Sequence, residues 1–350
     1  MSETNHHHGV IVGVDTHKDE HVAVAVNQLG AYLDEFHLTT TTRGYTALER
    51  WAMNMGEVIA FGVEGTGSYG AGLARYLVGQ GHTVIEVNRP DRSTRRSQGK
   101  SDPIDAEMAA RSVLSGVARD LPKSADDKVE MLRMLKTTKD SAIKARTQAI
   151  NQIKALIVTA PAELRESLPD LKNDKLVDLC AGFRPGPMTT PTATAKLVLR
   201  SLARRYKQLS QEIEDIKAEL ANLTEEIAPA LLDEYGVGPD AAAALLIATG
   251  DNPERLRSEA AFAALCGVNP IPASSGKTNR HRLNRGGDRS ANCALYRIVI
   301  VRLRHDHCTK EYMERRISEG MTKAEVIRCL KRYVARELFS ILKKPTKKML

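Results

Sequence analysis

Residues 10–26 read VIVGVDTHKDEHVAVAV, and the fold of the first part of the chain follows from this stretch. It opens with a largely β-branched apolar run that ends at Asp15, and residues 21–26 then alternate with a period of two. Both patterns predict β-strands. Further strand patterns cover residues 32–38, 58–63 and 83–87, with helical patterns over 45–55, 70–78 and 103–114. Three strands followed by alternating helices and strands predict an α/β domain with a mixed sheet.

From about residue 123 the pattern becomes helical, and one stretch predicts a coiled coil. Nine apolar side chains, which we call the heptad seam, are spaced alternately three and four residues apart: Leu199, Leu202, Tyr206, Leu209, Ile213, Ile216, Leu220, Leu223 and Ile227. A straight α-helix cannot keep such a stripe on one face, so this helix is expected to supercoil against a partner helix. We expect the partner to be a second copy of the chain. The alternative is antiparallel pairing with a long helix over residues 123–160.

These patterns divide the chain into three segments: an α/β domain over residues 1–122, long helices with the coiled coil over 123–231, and a helical domain over 232–350. A Pro- and Thr-rich stretch predicts a flexible connection near residues 181–196. The third segment opens with YGVGP at residues 235–239, which is typical of a helix-hairpin-helix turn. A plain Gly-Pro turn that starts a buried helix accounts for it equally well. The expected fold class is therefore α/β plus all-α.

The amino-acid composition limits the kinds of molecule that this protein is expected to bind. The chain has 51 Lys and Arg against 43 Asp and Glu, a formal charge of +8, and its isoelectric point is near 9.2. Such a basic protein is expected to bind a polyanion, and an aromatic content of 4% argues against base stacking as its main device. The apolar runs are far shorter than the roughly 20 residues of a membrane helix. Without an export signal either, the expected location is the cytoplasm, at the nucleoid when bound to DNA.

Four carboxylate side chains occupy sequence positions that the predicted fold would bring close together. Asp15 and Glu64 each follow an apolar strand, and Asp102 and Asp105 lie three residues apart at a predicted helix start. Ligands collect at the carboxyl ends of strands in α/β sheets, so the first two are expected to converge. Clustered carboxylates repel one another and are sustained by hard divalent cations such as Mg²⁺, with Mn²⁺ as a substitute. The alternative for the second pair is helix capping and interaction with the helix dipole.

Two basic stretches complete the candidate sites. Cations near the acidic residues would hold a phosphate backbone: Lys18, Arg92, Arg95, Arg96 and Lys100. A second group surrounds Ser274 and Ser275 in a predicted loop: Lys277, Arg280, Arg282, Arg285 and Arg289. A serine hydroxyl becomes a useful nucleophile only when its proton is removed and cations stabilise the developing charge. By chemistry alone this serine could equally be an ordinary loop residue inside a nucleic-acid contact face.

The motifs together resemble a known family. GVDTHK (13–18), VEGTGSYG (63–70) and KSDPIDA (100–106) are followed by the helical insert and then by CGVNP (266–270), SSGK (274–277) and RLNRGGDRSANCALYR (282–297). This order is similar to that of the DEDD-type transposases of bacterial insertion sequences, the IS110 family with its IS1111 branch, which includes the bridge-RNA-guided recombinases. The resemblance covers nearly the whole chain.

The resemblance implies a RuvC-like domain with an RNase H fold, in which Asp15, Glu64, Asp102 and Asp105 are the metal ligands. It implies a second domain whose serine forms a covalent phosphoserine link to DNA. The family's serine precedes a glycine, which points to Ser275, with Ser274 as the alternative. Dimers or tetramers built through the coiled coil, double-stranded donor and target DNA, and a structured non-coding guide RNA are the implied partners. The alternative function is a Mg²⁺-dependent junction nuclease without a covalent serine intermediate.

Overall fold

The computed structural model describes residues 9–87, 101–124, 127–252, 255–274 and 281–343. The chain forms two compact units. The first comprises the described residues of Met1–Asp127 together with Thr249–Arg257, and the second those of Lys128–Ala248 and Ser258–Leu350. The predicted boundary between residues 231 and 232, which would divide the helical part into two domains, stays a prediction.

The first unit is built on a five-stranded mixed sheet in the order β3-β2-β1-β4-β5. Its elements are β1 (Val10–Thr16), β2 (Glu20–Asn27), β3 (Tyr32–Thr39), α1 (Thr42–Met53), β4 (Val58–Glu64), α2 (Ala71–Gly79), β5 (Val84–Val87) and α3 (Asp102–Leu114). Strands β1 to β3 pair antiparallel, whereas β4 pairs parallel with both β1 and β5. The predicted mixed α/β class is confirmed for this unit, and the topology is consistent with an RNase H-like domain.

Helices cover both faces of this sheet. On one face, buried residues of β1 and β4 such as Val12 and Phe61 pack with Leu48 of α1 and Leu73 of α2. On the other face, α3 packs against β1 and β2. Because both faces of the central strands are buried, these strands are almost wholly apolar until they reach their carboxyl ends.

The second unit begins with an antiparallel pair of long helices, α4 (Lys128–Thr159) and α7 (Pro191–Ile227). Lys128 at the start of α4 forms an ion pair with Glu226 near the end of α7. At the opposite end of the pair, Ile153 of α4 and Leu199 of α7 share a core with the short helices α5 (Ala162–Ser167) and α6 (Asn173–Ala181).

Helix α4 of the same chain therefore contacts the predicted heptad seam, as the alternative pairing required. Five seam residues are buried: Leu199, Ile213, Leu220, Leu223 and Ile227. The other four are partly exposed: Leu202, Tyr206, Leu209 and Ile216. The predicted pairing with a second copy of the chain is neither established nor excluded by this arrangement and stays a prediction.

The predicted connection near residues 181–196 is shorter than expected. Helix α6 extends to Ala181, and α7 already begins at Pro191. Proline is well suited to the first turn of a helix, where its missing N–H is not needed. Thr190 precedes it as the N-cap, since its hydroxyl accepts a hydrogen bond from the Ala193 N–H at 3.2 Å. The prolines and threonines that suggested a loop are, in part, a helix start.

The rest of the second unit consists of short helices, one small hairpin and three longer helices. They are α8 (Pro229–Leu232), α9 (Pro239–Thr249, whose last residue lies in the first unit), α10 (Glu259–Leu265), β6 (Ile271–Pro272), β7 (His281–Arg282), α11 (Arg289–His305), α12 (His307–Ser318) and α13 (Lys323–Leu342). Strands β6 and β7 pair antiparallel. Among the described residues, no helix combines the length and apolar character required to cross a bilayer.

Asp240 in the first turn of α9 connects that helix to α4. Its carboxylate pairs with Lys139 and, at 3.1 Å, with Lys136, and it also accepts a hydrogen bond from Arg297 at 2.6 Å. Burial alone would raise the pKa of Asp240, but hydrogen bonds and charges from the two lysines outweigh it and hold the pKa at about 2. The helix-hairpin-helix assignment of the preceding glycine turn stays a prediction.

Replacing Asp240 by alanine should destabilise the protein by about 3 kcal/mol, because it removes the counter-ion of buried Lys139 and leaves buried Lys136 with only the more exposed carboxylate of Asp140. Urea denaturation at neutral pH measures this change. In the wild type the contribution is present at neutral pH and is lost as the pH falls toward 2, since the folded-state pKa is lowered.

Asp140 provides the matched control for this prediction. It pairs with Lys136 at 3.4 Å but is largely exposed, so Asp140→Ala should change the unfolding free energy by less than about 1 kcal/mol. Equal losses in the two variants would show that Asp240 is not the main counter-ion of the lysines.

Candidate functional site

The carboxyl ends of β1 and β4 place Asp15 and Glu64 at the same edge of the sheet. The strands are parallel neighbours with Val14 opposite Val63, so each acidic residue follows directly on a paired position. Both side chains are buried. The hydroxyl of Thr16 donates a hydrogen bond to the backbone carbonyl of Glu64 at 3.0 Å, which ties the two strand ends together.

Two glycines bring helix α3 close to these strand ends. Side chains alternate along a strand, so Gly13 lies on the same face as Asp15, and Gly62 on the same face as Glu64. A Cβ on Gly13 would lie 2.0 Å from the carbonyl oxygen of Ala106 in α3, which no side chain could tolerate. The absence of a side chain at Gly13 and at Gly62 is therefore what allows the helix to approach.

The first turn of α3 carries Asp102 and Asp105, the second being buried and the first half-exposed. Burial raises the pKa of Asp15. The charge of His17 partly opposes this rise, and the carboxylates of Asp105 and Asp102 add to it. The four acidic positions predicted from the sequence thus lie at the strand ends or in the helix turn packed against them. The negative charges of Asp102 and Asp105 disfavour ionisation of Asp15.

His17 is a member of this group that the sequence patterns did not single out. Its Nε2 atom lies 3.1 Å from Oδ2 of Asp15 and 3.5 Å from Oδ1 of Asp102. One ligand atom from each of the three residues lies within 4.8 Å of the others. The motif GVDTHK could have indicated this role of His17. The histidine follows Asp15 by two residues, and side chains two residues apart in an extended strand point to the same side.

The residues present fit a divalent cation. Asp15, His17 and Asp102 offer two carboxylates and an imidazole within ligand distance of a common point. Carboxylates are good ligands for both Mg²⁺ and Mn²⁺. An imidazole ligand favours Mn²⁺ and other transition-metal ions over Mg²⁺. Beside them lies a cavity of about 510 Å³ whose lining includes Lys18, His37 and Tyr69. This leaves room for a substrate next to the acidic group.

The second candidate site surrounds the β6–β7 hairpin. Ser274 is exposed just after β6, whereas Ser275, Lys277 and Arg280 fall outside the described residues. So do four cations predicted to flank the acidic group: Arg92, Arg95, Arg96 and Lys100. The described cations line two cavities in the second unit. Arg282 lines one of about 660 Å³, and Arg285 and Arg289 line one of about 560 Å³.

Polar residues of the downstream motif hold this region together. The Nδ2 group of Asn292 donates to the carbonyl of Cys266 at 2.8 Å, and that of Asn284 donates to Oδ1 of Asn269 at 2.6 Å. Asp288 caps α11 by accepting from the Ala291 N–H at 2.9 Å. These contacts join the two halves of the motif, so much of its polar content supports the base of the hairpin.

Two family models match the chain over the parts that carry these sites. Residues 12–160 match the DEDD transposase model of the IS110 group, described as a transposase, and residues 228–314 match the model described as the transposase IS116/IS110/IS902 family. Both matched parts of the chain are transposase domains of the IS110 group. The chain is accordingly an enzyme of DNA transposition and recombination, and DNA is its substrate.

Individual relatives are similar along most of their length. This transposase is 25% identical to the "Insertion element IS110 uncharacterized 43.6 kDa protein" of Streptomyces coelicolor, over 75% of this chain and 69% of that protein. It is 22% identical to the "Insertion element IS900 uncharacterized 42 kDa protein" of Mycobacterium paratuberculosis, over 95% of this chain and 96% of that protein.

The close approach of α3 in this transposase can be tested at Gly13. Gly13→Ala should lower the unfolding free energy by about 2–3 kcal/mol, because the added methyl group displaces α3 from β1. The same displacement moves Asp102 away from Asp15, so binding of Mn²⁺, followed by its effect on thermal unfolding, should weaken as well. Gly79→Ala is the control, since among the described residues no atom beyond the neighbouring backbone of its own helix lies within 4 Å of the added Cβ. Similar stability of the two variants would contradict this packing role of Gly13.

Proposed function

We propose that this transposase cuts and rejoins DNA through a covalent phosphoserine intermediate on Ser275, with help from a divalent cation held by the acidic group. One observation carries the metal's part in the proposal: the buried carboxylates of Asp15 and Glu64 lie at the strand ends, and that of Asp105 lies in the helix turn packed on them. Burying this much negative charge is costly unless a cation compensates it.

In this proposal Asp15, Glu64, Asp102 and Asp105 would hold the cation. His17 orients the Asp15 carboxylate through its 3.1 Å contact, and Thr16 fixes the backbone of Glu64. A bound divalent cation would supply positive charge to the oxygens of the phosphoryl group under attack. Lys18, on the wall of the adjoining cavity, is placed to meet the DNA backbone.

In the covalent step, the serine oxygen forms a bond to phosphorus as a phosphorus–oxygen bond of the DNA strand breaks. The released strand oxygen takes up a proton, and the serine gives one up. Arg282, Arg285 and Arg289 are exposed around the base of the hairpin, where they can offset the charge of the phosphate. Rejoining reverses the step with a different strand end as the attacking group.

Guidance by a structured non-coding RNA belongs to the same proposal, supported by the motif resemblance and by the basic, aromatic-poor composition. Base pairing with RNA would read the DNA sequence without stacking platforms on the protein. Assembly into dimers or tetramers is proposed through the partly exposed members of the heptad seam, Leu202, Tyr206, Leu209 and Ile216.

A second candidate function is a metal-dependent nuclease selective for DNA junctions, in which water attacks the phosphate. It is favoured by the fact that the acidic group lies wholly within the first unit. The two functions differ in whether a covalent adduct forms.

The test is to purify the full-length protein, sequence any RNA that co-purifies, and incubate the complex with DNA spanning the insertion element's ends. The phosphoserine proposal expects a specific RNA and a protein–DNA adduct that survives SDS. Cleavage without an adduct supports the nuclease instead, and cleavage undiminished by EDTA overturns the metal's part.

A further inference from the structure

Lys331, on helix α13, is a buried cation that the proposed chemistry does not yet use. Only 9% of the residue's surface is exposed. Its Nζ atom donates a hydrogen bond to Oδ1 of Asn292 at 2.9 Å. Asn292 is itself held, because its Nδ2 group donates to the carbonyls of Cys266 and Gly267 at 2.8 and 3.2 Å.

Lys331 differs from the neighbouring arginines in how its charge is compensated. Arg332 and Arg336 both pair with Glu259, and Arg328 pairs with Glu325. Within the described part of the chain, Lys331 has no ion pair with a carboxylate. Burial lowers the pKa of Lys331, and the neighbouring charge of Arg328 lowers it further. A buried ammonium with a neutral partner is costly, unless an anion reaches it when the protein is at work.

The surroundings of Lys331 leave space for such an anion. Lys331 lines both the cavity of about 660 Å³ and the cavity of about 560 Å³, and so lies where the two adjoin. Arg282 of β7 borders the first, and Arg289 at the start of α11 borders the second. The half-exposed ring of Tyr333 also lines the first cavity, and the guanidinium group of Arg336 lies 5.8 Å from the centre of this ring.

The same cavities adjoin the serine hairpin. Pro270, just before β6, and His281, the first residue of β7, both line the larger cavity. In the proposed function, the DNA strand under attack binds at this hairpin, whose described residues His281 and Arg282 line the larger cavity. A phosphate one or a few nucleotides from the cut would therefore come within reach of the ammonium group.

We propose that Lys331 binds a backbone phosphate of the DNA strand being cut, with the two cavities it joins as the groove for that strand. The inference rests on the proposed function for its choice of DNA, but the site is defined by this chain's own residues. Lys331 holds the strand and takes no part in proton transfer. Asn292 directs the ammonium group toward the cavities, and the neighbouring arginines add a diffuse positive field.

The test uses full-length protein with its co-purified RNA and a labelled DNA duplex spanning the element's ends, with EDTA present so that binding is measured without cleavage. Lys331→Met should weaken duplex binding about tenfold and reduce the salt dependence of binding by about one phosphate contact. Lys331→Arg, which keeps the charge, should retain most of the affinity. The control is Lys310→Met, an exposed lysine that lines neither cavity.

Thermal unfolding separates this role from a structural one. Lys331→Met should unfold at the wild-type temperature or above, because it removes a buried charge that pairs with no carboxylate of the described residues. Unchanged duplex affinity and salt dependence in Lys331→Met would overturn the proposal. So would a lower unfolding temperature in both Lys331 variants, or loss of RNA binding in place of DNA binding.

Single neutral methylphosphonates placed along the duplex then locate the phosphate. One substitution should weaken binding by the wild type but not by Lys331→Met, since the contact it removes is already absent. If every position weakens both proteins equally, Lys331 contacts no phosphate. Because binding is measured in EDTA, failure of the wild type to form a serine-linked adduct would overturn the phosphoserine proposal and leave this result standing.

Discussion

Ser275→Ala is expected to abolish the SDS-resistant adduct between the protein and DNA. The alanine lacks the oxygen that would bond to phosphorus, and no neighbouring group can replace it in the same position relative to the glycine that follows. Strand exchange should fall by at least about 1,000-fold, as expected when a nucleophile is removed. The measurement is gel electrophoresis of labelled DNA after SDS treatment, with the attached residue identified by peptide mass.

Ser274→Ala is the matched control, because it removes an adjacent hydroxyl and leaves Ser275-Gly276 intact. It should form the adduct at close to the wild-type rate. An adduct that persists in Ser275→Ala and disappears in Ser274→Ala would transfer the role to Ser274. If neither variant loses the adduct, neither serine is the nucleophile. Binding of the DNA duplex should be unchanged in both variants.

Asp15→Asn is expected to abolish DNA cleavage, a fall of at least about 1,000-fold, while the protein stays folded. The amide has nearly the shape of the carboxylate but lacks the charge that attracts a cation. Because burial and the charges of Asp105 and Asp102 raise the pKa of Asp15, the ionised form is disfavoured in the folded protein. Removing the charge should therefore leave the unfolding temperature unchanged or higher when no divalent cation is present.

Cation binding gives a second readout for Asp15. Added Mn²⁺ should raise the unfolding temperature of the wild type, as any ligand of the folded state does, and should have little effect on Asp15→Asn. Glu107→Gln serves as control, since Glu107 lies on the same helix α3 but pairs with Arg111 away from the acidic group. Normal cleavage by Asp15→Asn would exclude Asp15 from the catalytic machinery.

The local sequence was sufficient for Asp15 and Glu64 because a carboxylate directly after a buried apolar strand is typical of a ligand site at the sheet edge. It did not reveal His17, whose contact with Asp102 joins residues far apart in the chain. It also did not reveal that Lys136 and Lys139 of α4 are buried by their pairing with Asp240. A lysine is normally expected at the surface, and its burial could not be predicted here because its counter-ion Asp240 is distant in the sequence.

By itself, the sequence determined the strands, the long helices and the identity of the family, because alternation, heptad spacing and short motifs are properties of neighbouring residues. Only the tertiary structure decided that α4 lies against the heptad seam, that Gly13 and Gly62 bring α3 onto the sheet, and that Lys331 lies between two cavities. Each of these depends on which distant segments share a volume. Packing and electrostatic compensation act across space, so no local pattern records them.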